Sequence, residues 1–327
     1  MMKTLDEVSF LIKEGRLLHV AGNGSLLRQL PKGNWIGGST EYFMTEEGGV
    51  VSDSLLFVTE FDNDNFTICD YGMNNISQVA TEAYNNGFTV LIIPLDSELH
   101  MEYARNSPQY ESMYLKDIVG WVSGVNIKIL GQSNHFPIVV NGITGKVYSD
   151  RAVALHLEVP ESQNVSVNII NIFSPDENAP PIEFDQEGFT ATTCRVDGKE
   201  MMFDDYITQN NLDMKLPIIG NFFGHGINVD IRSIENGEVR FGAPVFTGVK
   251  YYRAKDVPDY EAAFNASLME CKNVQAVFSC NCLSNFMRGG LEGKKLGVKH
   301  GVLLGPVVFG EITYQLLSQT LVYVTVE

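Results

Sequence analysis

The chain has 327 residues, which is enough for two domains of ordinary size or one large domain. Hydrophobic residues make up 44% and charged residues 19%, a balance typical of a globular protein with a sizeable core. The 40 Asp and Glu residues outnumber the 23 Lys and Arg residues, and the resulting net charge of −17 disfavours nucleic acids and anionic membrane surfaces as partners.

The N-terminus and the cysteines both indicate a reduced, cytoplasmic protein. Asp6 and Glu7 fall where a signal peptide needs an apolar stretch. No run approaches the roughly 20 apolar residues of a membrane helix. The cysteines are odd in number and scattered along the chain, which makes a poor disulfide framework. We therefore expect no stable disulfide among Cys69, Cys194, Cys271, Cys280 and Cys282.

The first third of the chain alternates between helical and extended patterns. Leu5, Val8 and Ile12 form one helical stripe, which predicts a helix over residues 5–14 that stops at Gly15. A second helix is predicted over residues 76–86. Strands are predicted at 16–21, 35–40, 54–61 and 88–95. This alternation indicates an α/β layer.

The middle of the chain predicts a helical region followed by strands. Residues 97–120 have a helical pattern with a break at Pro108, and residues 137–148 predict a hairpin with Asn-Gly and Thr-Gly turns. Strands follow at 152–159 and 165–173. Residues 174–181 are rich in proline and acidic residues without an apolar period, which makes them the best linker candidate.

The last part of the chain predicts further strands around two helices. Asp197-Gly198 predicts a turn between a strand and a helix. Tyr260, Phe264 and Leu268 share one face of a later helix that begins near Pro258. The predicted helices cover residues 200–209 and the segment from 258 onward, and the predicted strands cover 192–196, 239–249, 274–280, 302–312 and 320–326.

Two apolar runs stop abruptly at groups that carry chemistry. One ends in Ser279-Cys280-Asn281-Cys282, and the other ends in Gly310-Glu311. Buried strands present reactive groups to clefts in this way, although free cysteine is also among the most buried residue types. A buried Glu311 needs a partner, or its pKa rises. The two cysteines lack a second ligand pair with zinc spacing, so the pattern favours no metal.

Small residues and glycine-flanked histidines are the remaining candidates for a ligand site. Gly37-Gly38-Ser39-Thr40 either lets a ligand approach the backbone and the hydroxyls, or forms a tight turn with a hydroxyl cap. His225 and His300 lie beside glycines, where a histidine can meet a ligand or a haem iron but is more often a solvated loop residue. No serine nucleophile motif is present.

Five short motifs in the same order, the first of them in two pieces, resemble the FIST family, the F-box and intracellular signal transduction sensory domain. They cover nearly the whole chain and lie at residues 36–40, 53–58, 196–199, 277–280, 309–312 and 318–321. One departure stands out, because the family's arginine three residues after the cysteine is replaced here by Leu283, and the nearest arginine is Arg288.

The resemblance implies a mixed α+β fold of the α/β type, with two related sheet-and-helix halves, 1–185 and 186–327. It also implies a small-molecule-binding sensory protein that passes its signal to a separate signalling partner. The implied ligand is amino-acid-like, and no cofactor is required. The expected ligand-binding residues are Gly37, Gly38, Ser39, Thr40, His225, Cys280, Cys282 and Glu311.

Two alternatives remain open at this level. A haem-binding sensor needs an axial ligand such as His225, His300 or a cysteine. A cysteine-dependent enzyme needs Cys280 or Cys282 as a reactive thiolate with a histidine as base. Thiol reactivity separates catalysis from binding, because an inert, buried thiol favours a binding protein.

Overall fold

The computed structural model describes residues 1–132, 135–222, 225–270, 275–298 and 301–327, with the backbone alone at 222, 225, 270, 297, 298, 301 and 302. The α-helices in these ranges are α1 (Leu5–Lys13), α2 (Gly24–Leu27), α3 (Glu98–Asn106), α4 (Phe203–Gln209), α5 (Tyr260–Glu270) and α6 (Leu283–Arg288). None of them is long and apolar enough to cross a membrane.

The strands of the first half run from Met2 to Ile170. They are β1 (Met2–Lys3), β2 (Leu17–Gly22), β3 (Trp35–Ser39), β4 (Tyr42–Thr45), β5 (Gly48–Val51), β6 (Leu56–Phe61), β7 (Phe66–Tyr71), β8 (Gly87–Pro94), β9 (Asp117–Ser123), β10 (Val139–Asn141), β11 (Lys146–Tyr148), β12 (Ala152–Glu158) and β13 (Val165–Ile170).

The strands of the second half run from Ile182 to Val326. They are β14 (Ile182–Glu183), β15 (Gly188–Ala191), β16 (Thr193–Val196), β17 (Lys199–Met202), β18 (Ile218–Phe222), β19 (His225–Val229), β20 (Ile231–Glu235), β21 (Glu238–Val245), β22 (Tyr251–Arg253), β23 (Ala276–Cys282), β24 (Gly297–Val298), β25 (Gly301–Val302), β26 (Gly305–Val308), β27 (Glu311–Ile312), β28 (Leu316–Leu317) and β29 (Leu321–Val326).

Four six-stranded sheets organise the described part of the chain. Their strand orders are β1-β6-β2-β3-β10-β11, β28-β27-β9-β8-β12-β7, β13-β29-β23-β26-β4-β5 and β17-β16-β14-β22-β18-β19. Most neighbouring strands are antiparallel, while β2–β3, β8–β9 and β23–β26 are parallel. The predicted mixed α+β class is confirmed.

Two of the sheets contain strands from both predicted parts of the chain. In the second sheet β27 pairs with β9, and in the third sheet β26 pairs with β4 and β29 pairs with β13. The division into two related halves, residues 1–185 and 186–327, stays a prediction. These pairings bring the end of the chain against its first half, and the site described below depends on them.

Local sequence signals explain why several elements form where they do. Thr4 caps α1, since its side chain accepts a hydrogen bond from the Glu7 amide while the Glu7 carboxylate accepts one from the Thr4 amide. Asp197 and Gly198 have φ of 52° and 74°, as a two-residue hairpin between β16 and β17 requires. Both signals are readable in the sequence.

Three predicted helical segments are wrong in part. Residues 76–86 form only a short 3₁₀ turn, Ile76–Gln78, because the buried stripe ends at Ala80 and Thr81 to Asn86 are exposed or half-buried. The predicted helical region 97–120 ends in strand β9, whose buried run pairs with β8. The predicted helix 200–209 begins only at Phe203, since residues 199–202 pair with β16.

The first three sheets share an apolar core. It contains Ile36 of the first sheet, Ile92 and Trp121 of the second, and Phe278 and Val308 of the third, all buried. A Cβ on Gly38 would lie 2.7 Å from both Ile92 and Trp121, so glycine lets the first sheet press directly against the second.

Candidate functional site

The predicted strand over residues 302–312 is interrupted after Val308. Val308 and Phe309, at the interruption, line a cleft. β26 ends at Val308 in the third sheet, and β27 begins at Glu311 in the second. β23 runs parallel to β26, with Cys282 paired to Val308, and α6 begins directly after it. Clefts beyond the carboxyl ends of parallel strands are common binding sites in α/β proteins.

Cys280 lies in the core, away from this cleft. Its Sγ donates a hydrogen bond of 3.4 Å to the carbonyl oxygen of Gly120. Cys282 lies two residues further along β23, and its buried side chain lines the cleft. The sequence predicted one cleft lined by both Cys280 and Glu311. The two residues do lie near each other, since a charge on Glu311 raises the pKa of the Cys280 thiol. Cys280 nevertheless does not line the cleft.

Glu311 is fully buried beside Cys282. Its Oε2 accepts hydrogen bonds from the Thr320 amide at 3.1 Å and the Thr320 hydroxyl at 2.6 Å. Its Oε1 accepts no hydrogen bond of normal geometry from the described residues, although the Cys282 thiol lies close enough to lower the pKa slightly. Loss of hydration on burial outweighs these contacts and raises the pKa of Glu311 from 4.5 to about 8.

Burial also decides the protonation state of both cysteines. Desolvation, followed by repulsion from Glu311, raises the pKa of the Cys280 and Cys282 thiols well above its usual range. The nucleophile of a cysteine enzyme is a thiolate, stabilised by a nearby cation or a helix N-terminus. Cys282 does occupy the N-cap position of α6, and contacts with the backbone of Ser284 and Gln319 lower the pKa of its thiol, but desolvation outweighs them. The geometry therefore disfavours catalysis through either cysteine.

The cleft beside Cys282, here called the Cys282 cleft, has a volume of about 360 Å³. That volume lies within the usual range of small-ligand pockets. Its apolar wall and its polar groups come from distant parts of the sequence. The lining residues are Ile127, Leu130, Asp230, Arg232, Cys282, Leu283, Ser284, Met287, Arg288, Val308, Phe309 and Ser318.

Asp230 is the acidic group of the Cys282 cleft, and the sequence analysis missed it. It is buried, and its Oδ2 accepts a hydrogen bond of 3.1 Å from the Ser284 hydroxyl. Its Oδ1 packs against Gly242, where a Cβ would lie 1.8 Å away. Asp230 directly follows β19, but Asn228 interrupts the apolar residues there, so the local sequence does not mark Asp230 in the way that it marks Glu311.

Two arginines line the same cleft. Arg232 donates from Nη2 to the carbonyl oxygen of Phe309 at 3.3 Å, and Arg288 donates to the carbonyl oxygens of Lys215 and Ile231. Neither arginine, nor Asp230, forms an ion pair within the ranges that the structure describes. Arg288, the arginine nearest to the departure at Leu283, therefore lies at the cleft.

Ser39 and Thr40 line a different cleft. This second cleft has a volume of about 410 Å³ and also contains Glu41 and Arg28. The Ser39 hydroxyl accepts a hydrogen bond from the Ile138 amide at 2.9 Å, and the Thr40 hydroxyl donates one of 2.7 Å to the Val307 carbonyl. The structure therefore does not bring Ser39 and Thr40 into one cleft with Cys282.

Gly37 and Gly38 lie within β3 and line neither cleft. A Cβ on Gly37 would lie 2.8 Å from the Val20 carbonyl oxygen, so packing already explains the absence of a side chain there. His225 begins β19 and pairs with Phe222, while its side chain lies outside the described structure, as does the whole of His300.

Comparison with known proteins places the chain in a family but assigns it no activity. Residues 3–327 match the sequence model of a family of unknown function, DUF6976. The chain belongs to this family. No curated protein and no solved structure matches it. The function of this DUF6976 member must therefore be inferred from the geometry of its site.

The burial of the two site thiols predicts their order of alkylation. We expect Cys69, which is half-buried, to react with iodoacetamide in the native protein, with EDTA present, well before Cys280 and Cys282. Peptide mass spectrometry over a time course measures each cysteine separately, and Cys194, a buried core residue, is the matched control. Rapid native modification of Cys282 would contradict the protonated state derived above.

Proposed function

We propose that this DUF6976 protein binds a small amino-acid-like molecule in the Cys282 cleft and does not convert it. In this proposal the protein is a cytoplasmic sensory module of FIST type that acts through a separate signalling protein. The observation that carries the proposal is the set of unpaired opposite charges, Asp230 against Arg232 and Arg288, around one cavity.

A zwitterionic ligand fits those charges. Asp230 has one hydrogen bond to its side chain, whereas a carboxylate has about four acceptor positions. An ammonium group placed there would gain charge-assisted hydrogen bonds. Each arginine has five N–H donors, and Arg232 uses one of them on a backbone carbonyl. The ligand carboxylate is assigned to Arg232 and Arg288.

The apolar wall indicates the class of ligand side chain. Leu130, Met287 and Phe309 face the cleft together with Ile127, Leu283 and Val308. Burial of apolar surface contributes about 25 cal/mol per Å², so an amino acid with an aliphatic or aromatic side chain gains more than glycine or serine. Methionine among these residues also allows the wall to adapt to ligand shape.

The sequence predicted that Glu311 binds the ligand, but its position in the structure favours a different role. It lies behind Cys282 and does not line the cavity, so Asp230 replaces it as the proposed counterion of the ammonium group. With its pKa raised to about 8 by burial, Glu311 is mainly protonated near neutral pH. It then leaves Asp230 as the principal negative charge at the cleft.

A thermal-shift screen tests the proposal. We expect apolar amino acids to raise the melting temperature, because a ligand at about 100 times its Kd stabilises a protein by about 2.7 kcal/mol. Matched amines without the carboxylate and acids without the amine should give much smaller shifts. Haem is included as the rival ligand, and a shift with haem alone would refute the amino-acid proposal.

Two results would contradict parts of the proposed function. Shifts of equal size for an amino acid and its deaminated acid would remove Asp230 from the site. Conversion of the amino acid to a product during prolonged incubation, followed by mass spectrometry, would overturn the non-enzymatic part of the proposal.

A further inference from the structure

A second group of reactive side chains lies at the far edge of the second sheet, away from the Cys282 cleft. Cys69 is on β7, His156 is on the neighbouring strand β12, and Glu82 follows the short turn at Ile76–Gln78. One ligand atom from each of the three lies within 4.8 Å of the other two. The strand register explains the pairing, since Cys69 is opposite Ala154 and therefore diagonal to His156 on the same face.

Two hydroxyl groups fix the histidine ring. The Thr89 hydroxyl lies 2.7 Å from His156 Nδ1, and the Tyr71 hydroxyl lies 2.8 Å from Nε2 and 2.7 Å from Glu82 Oε2. In the tautomer that has its proton on Nδ1 and donates it to Thr89, the lone pair of Nε2 is available to an ion, which would displace the Tyr71 hydroxyl from that nitrogen. Metal-ligating histidines are commonly oriented in this way by a partner on the other ring nitrogen.

We propose that Cys69, Glu82 and His156 bind a divalent ion of the zinc type. Thiolate sulfur, imidazole nitrogen and carboxylate oxygen are the donors that Zn²⁺ takes, whereas Mg²⁺ and Ca²⁺ take oxygen ligands. Three protein ligands leave a fourth position, which Tyr71 or a water would fill. The Cys69 thiol releases its proton to solvent when it binds the ion.

The burial of the three residues suits a site that an ion can reach. His156 is fully buried, Cys69 is half-buried and Glu82 is exposed. The cluster therefore has a rigid inner side and an open outer side. The sequence pattern disfavoured a metal because Cys280 and Cys282 lack a second ligand pair with zinc spacing. Cys69 and His156 are 87 positions apart and meet through strand pairing.

Titration of the full-length protein with Co²⁺ tests this inference. We expect visible d–d bands of a tetrahedral site and a near-ultraviolet band from thiolate-to-cobalt charge transfer, both lost when Zn²⁺ is added. Cys69→Ser should abolish the charge-transfer band, and Glu82→Gln should weaken binding by roughly tenfold or more. Thr89→Val, which removes the orienting hydroxyl, should weaken binding by about 10- to 100-fold.

Matched controls separate this site from other thiols and carboxylates. Cys194→Ser and Glu158→Gln change the same residue types elsewhere and should leave the spectrum and the affinity unchanged. Glu82 and Glu158 are exposed, so their variants should fold even if Cys69→Ser does not. Absence of a tetrahedral spectrum in the wild-type protein, or a spectrum unchanged in both Cys69→Ser and Glu82→Gln, would overturn the proposal and leave a hydrogen-bonded cluster around Tyr71.

Discussion

Glu311→Gln will make this protein more resistant to alkaline pH. The buried carboxyl has its pKa raised from 4.5 to about 8 by desolvation. Between these values the unfolded chain has lost the proton that the folded chain keeps, so the free energy of unfolding falls as pH rises. At roughly 1.4 kcal/mol per pKa unit, the wild-type protein loses up to about 5 kcal/mol of stability across this window.

Glu311→Gln avoids this loss of stability at alkaline pH, because an amide does not ionise. Its carbonyl oxygen can still accept the two hydrogen bonds from Thr320. Urea unfolding at about pH 5 and about pH 9 measures the effect, and Glu111→Gln, at an exposed site, is the control. We expect the stability difference between Glu311→Gln and wild type to grow with pH, while Glu111→Gln follows wild type. Parallel curves for all three proteins would show that Glu311 is already ionised.

Asp230→Asn will weaken binding of the amino-acid ligand by about 10- to 100-fold. Hydrogen bonds to charged groups contribute about 1.5–3 kcal/mol, and roughly 1.4 kcal/mol corresponds to tenfold in affinity. The substitution keeps the size of the side chain and its contact with Gly242. Isothermal titration calorimetry of the variant measures the loss.

Asp256→Asn is the matched control for this substitution. It removes the same charge from an exposed aspartate outside the Cys282 cleft. We expect its affinity to remain close to that of wild type. Equal losses in the two variants would assign the effect to net charge and not to a contact with the ligand.

Much of the fold follows from local signals in the sequence. The stripe of Leu5, Val8 and Ile12 correctly predicted α1, and Asp197-Gly198 correctly predicted a turn, although a strand and not a helix follows it. The errors arise where long-range pairing overrides local pattern. Residues 117–120 form a strand only because β8 offers a partner for them.

The candidate site was predictable only in part, for the same physical reason. Cys282 and Glu311 stood out because apolar runs end at them, and the structure does place them side by side. Asp230 lies directly after β19, Arg232 on β20 and Arg288 at the end of α6, and nothing in their local sequence indicates that these segments converge. Ser39 and Thr40 line a different cleft, and their role in ligand binding stays a prediction.

A double-mutant cycle on ligand and protein tests the central claim most directly. Wild-type and Asp230→Asn proteins are each titrated with an apolar amino acid and with the deaminated acid that differs only in the ammonium group. We predict that Asp230→Asn reduces affinity for the amino acid by about 10- to 100-fold and leaves the weaker affinity for the deaminated acid unchanged. Equal effects of the substitution on both ligands, or no binding of either ligand to the wild-type protein, would contradict the claim that the Cys282 cleft recognises an amino-acid-like molecule through Asp230.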